Sequence, residues 1–95
     1  MTTTSALSPE QILLSQLDGW QQQGSFISKT YHFKNYYQTT AFVNAIAWMA
    51  HQTDHHPELT VNYNSCKVSY STHDAGGLTE KDFSCAAKAD GLFKP

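Results

Sequence analysis

The chain contains no arginine. Its positive charge rests on six lysines set against eight acidic residues, a formal net charge of −2 over 95 residues. Arginine is the favoured side chain for bidentate contacts to phosphate and to base edges, and nucleic-acid binders gather cations on one face. Neither feature is present, so the sequence predicts no nucleic-acid partner. Cysteine is scarce as well. Cys66 and Cys85 lack any CxxC spacing, which leaves zinc and thiol-redox chemistry without a framework and fits two reduced thiols in a cytoplasmic protein. No run approaches the roughly 20 apolar residues of a membrane span. The start, Met1-Thr2-Thr3-Thr4-Ser5-Ala6, has neither the cationic opening nor the apolar core of a signal peptide. Charged residues are only 15% of the chain and apolar residues 40%, a globular composition and not a disordered one.

A chain this short predicts one domain over residues 1–95, with about the first seven residues a flexible tail. Small chains bury a modest share of their surface, and self-association is a common way to add to it.

Punctuation residues divide the rest. Ser8-Pro9-Glu10-Gln11 reads as a helix start, with Ser8 as cap, Pro9 at the first helical position and Gln11 reaching back. Leu13, Leu17 and Trp20 follow at helical spacing, and Gly19 marks the exit. Phe26 to Phe33 alternates as a strand, Ile27, Lys29, Tyr31 and Phe33 on one face and Ser28, Thr30 and His32 on the other. Residues 20–23 can pair with it. Asn35 caps a second helix running to about Gln52, with Gln38 reaching back and Phe42, Ile46 and Met49 as its apolar stripe. Pro57 disfavours helix at His56 and so ends it. Leu59–Tyr63 and Cys66–Thr72 read as a hairpin turning at Asn64-Ser65, with Val68, Tyr70 and Thr72 on the core face and Lys67, Ser69, Ser71 and His73 opposite. After Gly76-Gly77, Thr79 caps a third helix, Leu78 and Phe83 form its staple, Ala86 and Ala87 its buried side, and Gly91 its end. The order α-β-β-α-β-β-α, with hairpins inside each half, predicts an α+β fold with a mainly antiparallel sheet.

Histidine is abundant where charge is not: five in 95 residues. His55 and His56 follow the second helix and His73 follows the last strand, with Asp54 and Asp74 beside them. A lone loop histidine is usually a surface residue; two adjacent ones fixed by a proline, plus a third ending a polar strand face, suggest a site. Three imidazoles can hold a catalytic zinc. Adjacent residues at a helix end point roughly 100° apart, however, which makes joint ligation awkward, and no HExxH pair is present. A metal site would need His51, His55 and His73 to converge. General acid–base chemistry suits the set better, because histidine gains and loses a proton near neutrality and a neighbouring carboxylate fixes its tautomer. No serine or cysteine sits in an elbow motif, so nucleophilic catalysis has little support.

The string Asp54-His55-His56-Pro57-Glu58, then Tyr63, Ser71-Thr72-His73-Asp74 and Gly77-Leu78-Thr79-Glu80-Lys81-Asp82 resembles the pterin-4a-carbinolamine dehydratase family. The likeness extends over almost the whole chain, taking in Gly19-Trp20 and Tyr31-His32-Phe33-Lys34. It implies a four-stranded antiparallel sheet with helices packed on one face and assembly as dimers or tetramers. It implies dehydration of a 4a-hydroxytetrahydropterin, formed by an aromatic amino acid hydroxylase, to quinonoid dihydropterin and water, with no metal or organic cofactor. It implies His55, His56 and His73 as the catalytic trio, with Asp54, Ser71, Thr72 and Asp74 also contacting the pterin. His55 and His73 are expected to move protons and His56 to hold the ring. One departure stands out: many members carry a carboxylate four residues before the paired histidines, where this chain has His51. Either that role is dispensable or Asp54 covers it, and a shifted pH optimum is expected. The alternative implied by the resemblance is a dimerisation cofactor of a transcription factor, as in some animal relatives. An inactive paralogue is a third reading, against which the intact trio argues.

Overall fold

A computed structural model describes residues 9–72 and 77–93. The expected tail, the Ser8 cap, His73 and Asp74 lie outside those residues. The element order is α1 (Pro9–Ser15), β1 (Gln21–Gln23), β2 (Phe26–His32), α2 (Tyr36–Thr53), β3 (Glu58–Asn62), β4 (Ser65–Tyr70) and α3 (Glu80–Leu92). The four strands form one antiparallel sheet in the order β1-β2-β4-β3, so the α+β class and the element order are as the sequence predicts.

Strand periodicity decides which face the helices cover. Ile27 and Tyr31 of β2 and Cys66, Val68 and Tyr70 of β4 are buried together with Phe42, Ile46 and Met49 of α2 and Phe83, Cys85, Ala86 and Ala89 of α3. Gln21, Gln23, Thr30 and Lys67, on the opposite face, are exposed. The two central strands pair over Ile27↔Tyr70 to His32↔Ser65. A one-residue slip would turn this apolar set to solvent, so burial itself fixes the register.

Several boundaries differ from expectation by a residue or more. The β3–β4 turn falls on Tyr63-Asn64, because Asn62 pairs with Ser65. The Thr39 hydroxyl lies 3.0 Å from the carbonyls of both Asn35 and Tyr63, and Phe33 N–H donates to Asn64 O at 2.8 Å. These contacts pin the hairpin to the first turn of α2 and select its register. Asn35 caps α2 through its side chain, while Gln38 accepts from the Lys34 N–H. Helix α1 stops at Ser15, so Trp20 reaches the core from a turn and not from the helix. In α3, Ala87 is exposed and Gly91 lies within the last turn.

Asp90 near the end of α3 ties three elements together. It accepts from Trp20 Nε1 at 3.2 Å, from Lys29 Nζ at 3.0 Å and from the Tyr31 hydroxyl at 2.5 Å. Lys29 also donates to Asp18 O at 2.9 Å. Gly19 is required beside it: its φ is +85°, and a Cβ there would meet Lys29 Cε at 3.1 Å. Burial, reinforced by the Asp90 bond, holds the Tyr31 phenol well above its ordinary value of 10.0. A group that keeps its proton more tightly when folded contributes its full stability below its unfolded pKa and loses that contribution progressively as pH rises from there through its folded pKa. Thermal melts between pH 8 and 12 are therefore expected to show an alkaline fall, begun by the buried Cys66 thiol that burial also pushes up, that steepens above about pH 10 and is shallower there in Tyr31→Phe.

Candidate active site

The site begins with how α2 ends. Asp54 adopts a left-handed conformation, φ 54° and ψ 40°, and its N–H bonds to Ala50 O. Aspartate tolerates this region better than most side chains. The His55 N–H also reaches Ala50 O, at 3.2 Å, and Pro57 keeps His56 extended. The two adjacent histidines therefore part company: His55 is buried, 8% exposed, while His56 is exposed.

Inside, His55 Nε2 lies 2.6 Å from Asp82 Oδ1, and the Asp82 side chain is fully buried. A buried carboxylate is costly unless donors surround it. Asp82 has three. Besides the imidazole, the Thr72 hydroxyl donates to Oδ2 at 2.7 Å and the Thr79 N–H donates to Oδ2 at 2.9 Å. The Thr79 hydroxyl, 3.0 Å from Thr72 Oγ1, completes the chain. Because a carboxylate only accepts, Nε2 is the protonated nitrogen of His55. Thr72 is held in turn by a backbone bridge to Gly77, with bonds of 3.3 and 3.1 Å, which spans the segment carrying His73 and Asp74.

The Tyr70 ring lies parallel to the imidazole, with centroids 5.6 Å apart and planes 15° apart. Its hydroxyl is buried without a hydrogen-bond partner among the described residues. Burial, with the Cys85 thiol and the Asp82 carboxylate adding to it, holds this phenol protonated well beyond its ordinary range.

The structure thus joins His55 to Thr72 through Asp82. Ser71 is half-buried beside Thr72. The Asp54 side chain is exposed and makes no bond to His55, and its carbonyl accepts from Lys81 Nζ at 3.2 Å. The carboxylate on His55 comes from α3. His51 is exposed and rests on Trp48, ring centroids 5.5 Å apart, so it does not join His55. Among the described residues no group of three His, Cys, Asp or Glu side chains is placed to hold a metal ion, and no helix is long and apolar enough to cross a membrane. Clefts of about 390 Å³ on the open sheet face, about 420 Å³ between α1 and α3 and about 400 Å³ beside Thr53 and Lys81 are not lined by His55.

Asp82 and Tyr70 were legible only as helix-start and core residues. The missed signal is that Asp82 shares the helical stripe of Cys85, Ala86 and Ala89, all buried, and a carboxylate on a core stripe must have partners inside.

The model of the pterin 4 alpha carbinolamine dehydratase family matches residues 5–92. The chain belongs to this family. A protein of Nitrosospira multiformis bearing the family's name is 60% identical over 90 residues, covering 93% of this chain and 80% of its own; one from Nitrosomonas europaea is 61% identical over 83 residues, 86% of this chain and 74% of its own. The crystal structure of a transcriptional coactivator/pterin dehydratase from Brucella melitensis superimposes with a TM-score of 0.84 at 32% identity, covering 90% of this chain and 96% of that one. A pterin dehydratase-like protein identified as a RuBisCO assembly factor in the alpha-carboxysome gives 0.64 at 26% identity, covering 77% and 84%.

Within this dehydratase fold, replacing Asp82 by Ala leaves the buried Nε2, the Thr72 hydroxyl and the Thr79 N–H without their acceptor. Asp82→Ala is expected to lose several kcal/mol in denaturant unfolding, about 1–3 kcal/mol for each buried donor left unsatisfied. Stability within 1 kcal/mol of wild type (about the margin of such measurements) would show that the carboxylate does not organise the site.

Proposed function

We propose that the protein dehydrates a 4a-hydroxytetrahydropterin to the quinonoid dihydropterin and water by histidine acid–base catalysis. The reading is carried by the buried His55–Asp82 pair, 2.6 Å apart. The reaction breaks the C4a–O bond and the N5–H bond. An imidazolium gives a proton to the departing hydroxyl, which leaves as water, and a neutral base takes the proton from N5, so none is consumed overall. Such transfers are each worth about 10²–10⁴ in rate. Asp82 fixes the orientation and tautomer of His55 and makes a charge pair with it whenever it is protonated, as a carboxylate does for a catalytic histidine elsewhere. His55 and His73 are assigned the proton transfers and His56, exposed and next to His55 in sequence, the holding of the ring. Asp54, Ser71, Thr72 and Asp74 complete the pterin contacts. No step requires a metal or an organic cofactor. In the cell the reaction returns pterin spent by an aromatic amino acid hydroxylase, in the cytoplasm.

The protein is further proposed to work as a homo-oligomer, dimer or tetramer. Support comes from α2, whose 18 residues include no Asp, Glu, Lys or Arg. Its outward stripe, Tyr37, Ala41, Asn44, Trp48 and His51, is exposed at heptad spacing, the pattern of a helix that packs on another. Set antiparallel about Asn44, two such stripes bring the bulk of Trp48 over the small Ala41. Trp48 is 63% and Tyr37 83% exposed in the single chain.

Two measurements test these readings. With the carbinolamine generated by a hydroxylase and followed spectroscopically, His55→Ala and His73→Ala, still folded, are expected to lose about 10²–10⁴ in rate; rates equal to wild type, or a wild type without activity, would refute the acid–base reading. Trp48→Glu is expected to shift the solution mass toward the single chain, and an unchanged mass would remove α2 from the interface.

A further inference from the structure

We propose that Tyr70 is a positioning residue for His55, and that His55 exchanges its proton with the pterin through Nδ1. The inference rests on the dehydratase reading above. The imidazole is constrained on two sides. Its Nε2 edge is held by Asp82 at 2.6 Å, and one of its faces lies along the Tyr70 ring, with planes 15° apart. A ring fastened by one hydrogen bond alone can tilt about that bond. A parallel aromatic face beside it removes the tilt, and offset-stacked rings are a favoured arrangement. Tyr70 cannot yield, because it is fully buried with Trp20 on another side, ring centroids 6.2 Å apart. Nδ1 has no hydrogen-bond partner among the described residues, and with Nε2 engaged it is the nitrogen left for proton exchange. Catalytic proton transfer needs reacting atoms placed within a few tenths of an ångström, and small misplacements are costly.

The ring face, not the hydroxyl, is the functional part. The hydroxyl bonds to no described residue and stays protonated throughout the range in which an enzyme of this kind works. This separates the proposal from ordinary core packing. Phenylalanine supplies the same face, whereas leucine supplies apolar bulk without one.

The test uses the full-length protein with Tyr70→Phe and Tyr70→Leu, folding verified by circular dichroism. Tyr70→Leu is expected to lower kcat roughly 10- to 100-fold while changing KM less than about threefold, the split that marks lost transition-state positioning. Tyr70→Phe is expected to keep kcat within about twofold of wild type. Nitrogen and proton NMR supplies a readout independent of activity, and on the unmodified protein it needs no variant. The neutral His55 is expected as the Nε2–H tautomer, with ring protons shifted upfield by the neighbouring phenol face, a shift that Phe retains and Leu loses. A folded Tyr70→Leu with wild-type kcat, a Phe variant as impaired as Leu, an Nδ1–H tautomer, or ring protons without the upfield shift would each overturn the proposal. A wild type that lacks dehydratase activity would instead strike the functional reading, leaving the NMR result to decide whether the stack orients the imidazole.

Discussion

A single buried carboxylate organises one end of this molecule. Asp82 cannot stay charged away from water without donors, and the donors it has come from three different places: the loop after α2, the end of β4 and the cap of α3. Satisfying one side chain therefore fixes how three elements meet. The left-handed turn at Asp54 and the restriction imposed by Pro57 deliver His55 to that point, and the core packing of Phe83, Cys85 and Ala86 brings Asp82 to meet it. The polar network and the hydrophobic core share residues of the same helix, so Asp82 is held by the neighbours that make the fold stable.

Much of the architecture was legible because binary patterning is strong where it matters. The alternation in β2 and β4 and the 42–46–49 stripe of α2 each name their own buried face, and Asn35, Pro57 and Gly19 mark boundaries for stated stereochemical reasons. The errors fall where tertiary contacts choose between local options of similar cost. Asn64-Ser65 is as good a turn as Tyr63-Asn64 in isolation; the Thr39 and Phe33 contacts to the hairpin choose the second. Trp20 continues the α1 period in sequence, yet the chain has already left the helix, and Asp90 fixes where the indole ends up.

The site was legible in part. The paired histidines and their proline announce a special segment, but sequence alone does not say which of two neighbours turns inward. That choice depends on the backbone conformation of Asp54, a property of the helix end and not of either histidine. The carboxylate partner was harder to find because it lies 27 residues downstream of His55 and serves also as a helix-start residue, a role that explains its presence without any reference to chemistry. The likeness at 26% identity to a RuBisCO assembly factor shows why such detail matters. A fold of this kind can carry more than one role, and what separates them is a handful of side chains.

Placing Asp82 on α3 has a consequence for biosynthesis. That helix is the last of the described elements to leave the ribosome, since chains emerge from their N-terminus. Until it docks, His55 has no anchor and the sheet has lost the cover that Phe83, Cys85, Ala86 and Ala89 provide. Completing the core and anchoring the His55 imidazole are thus one event, and a nascent chain still without α3 has neither.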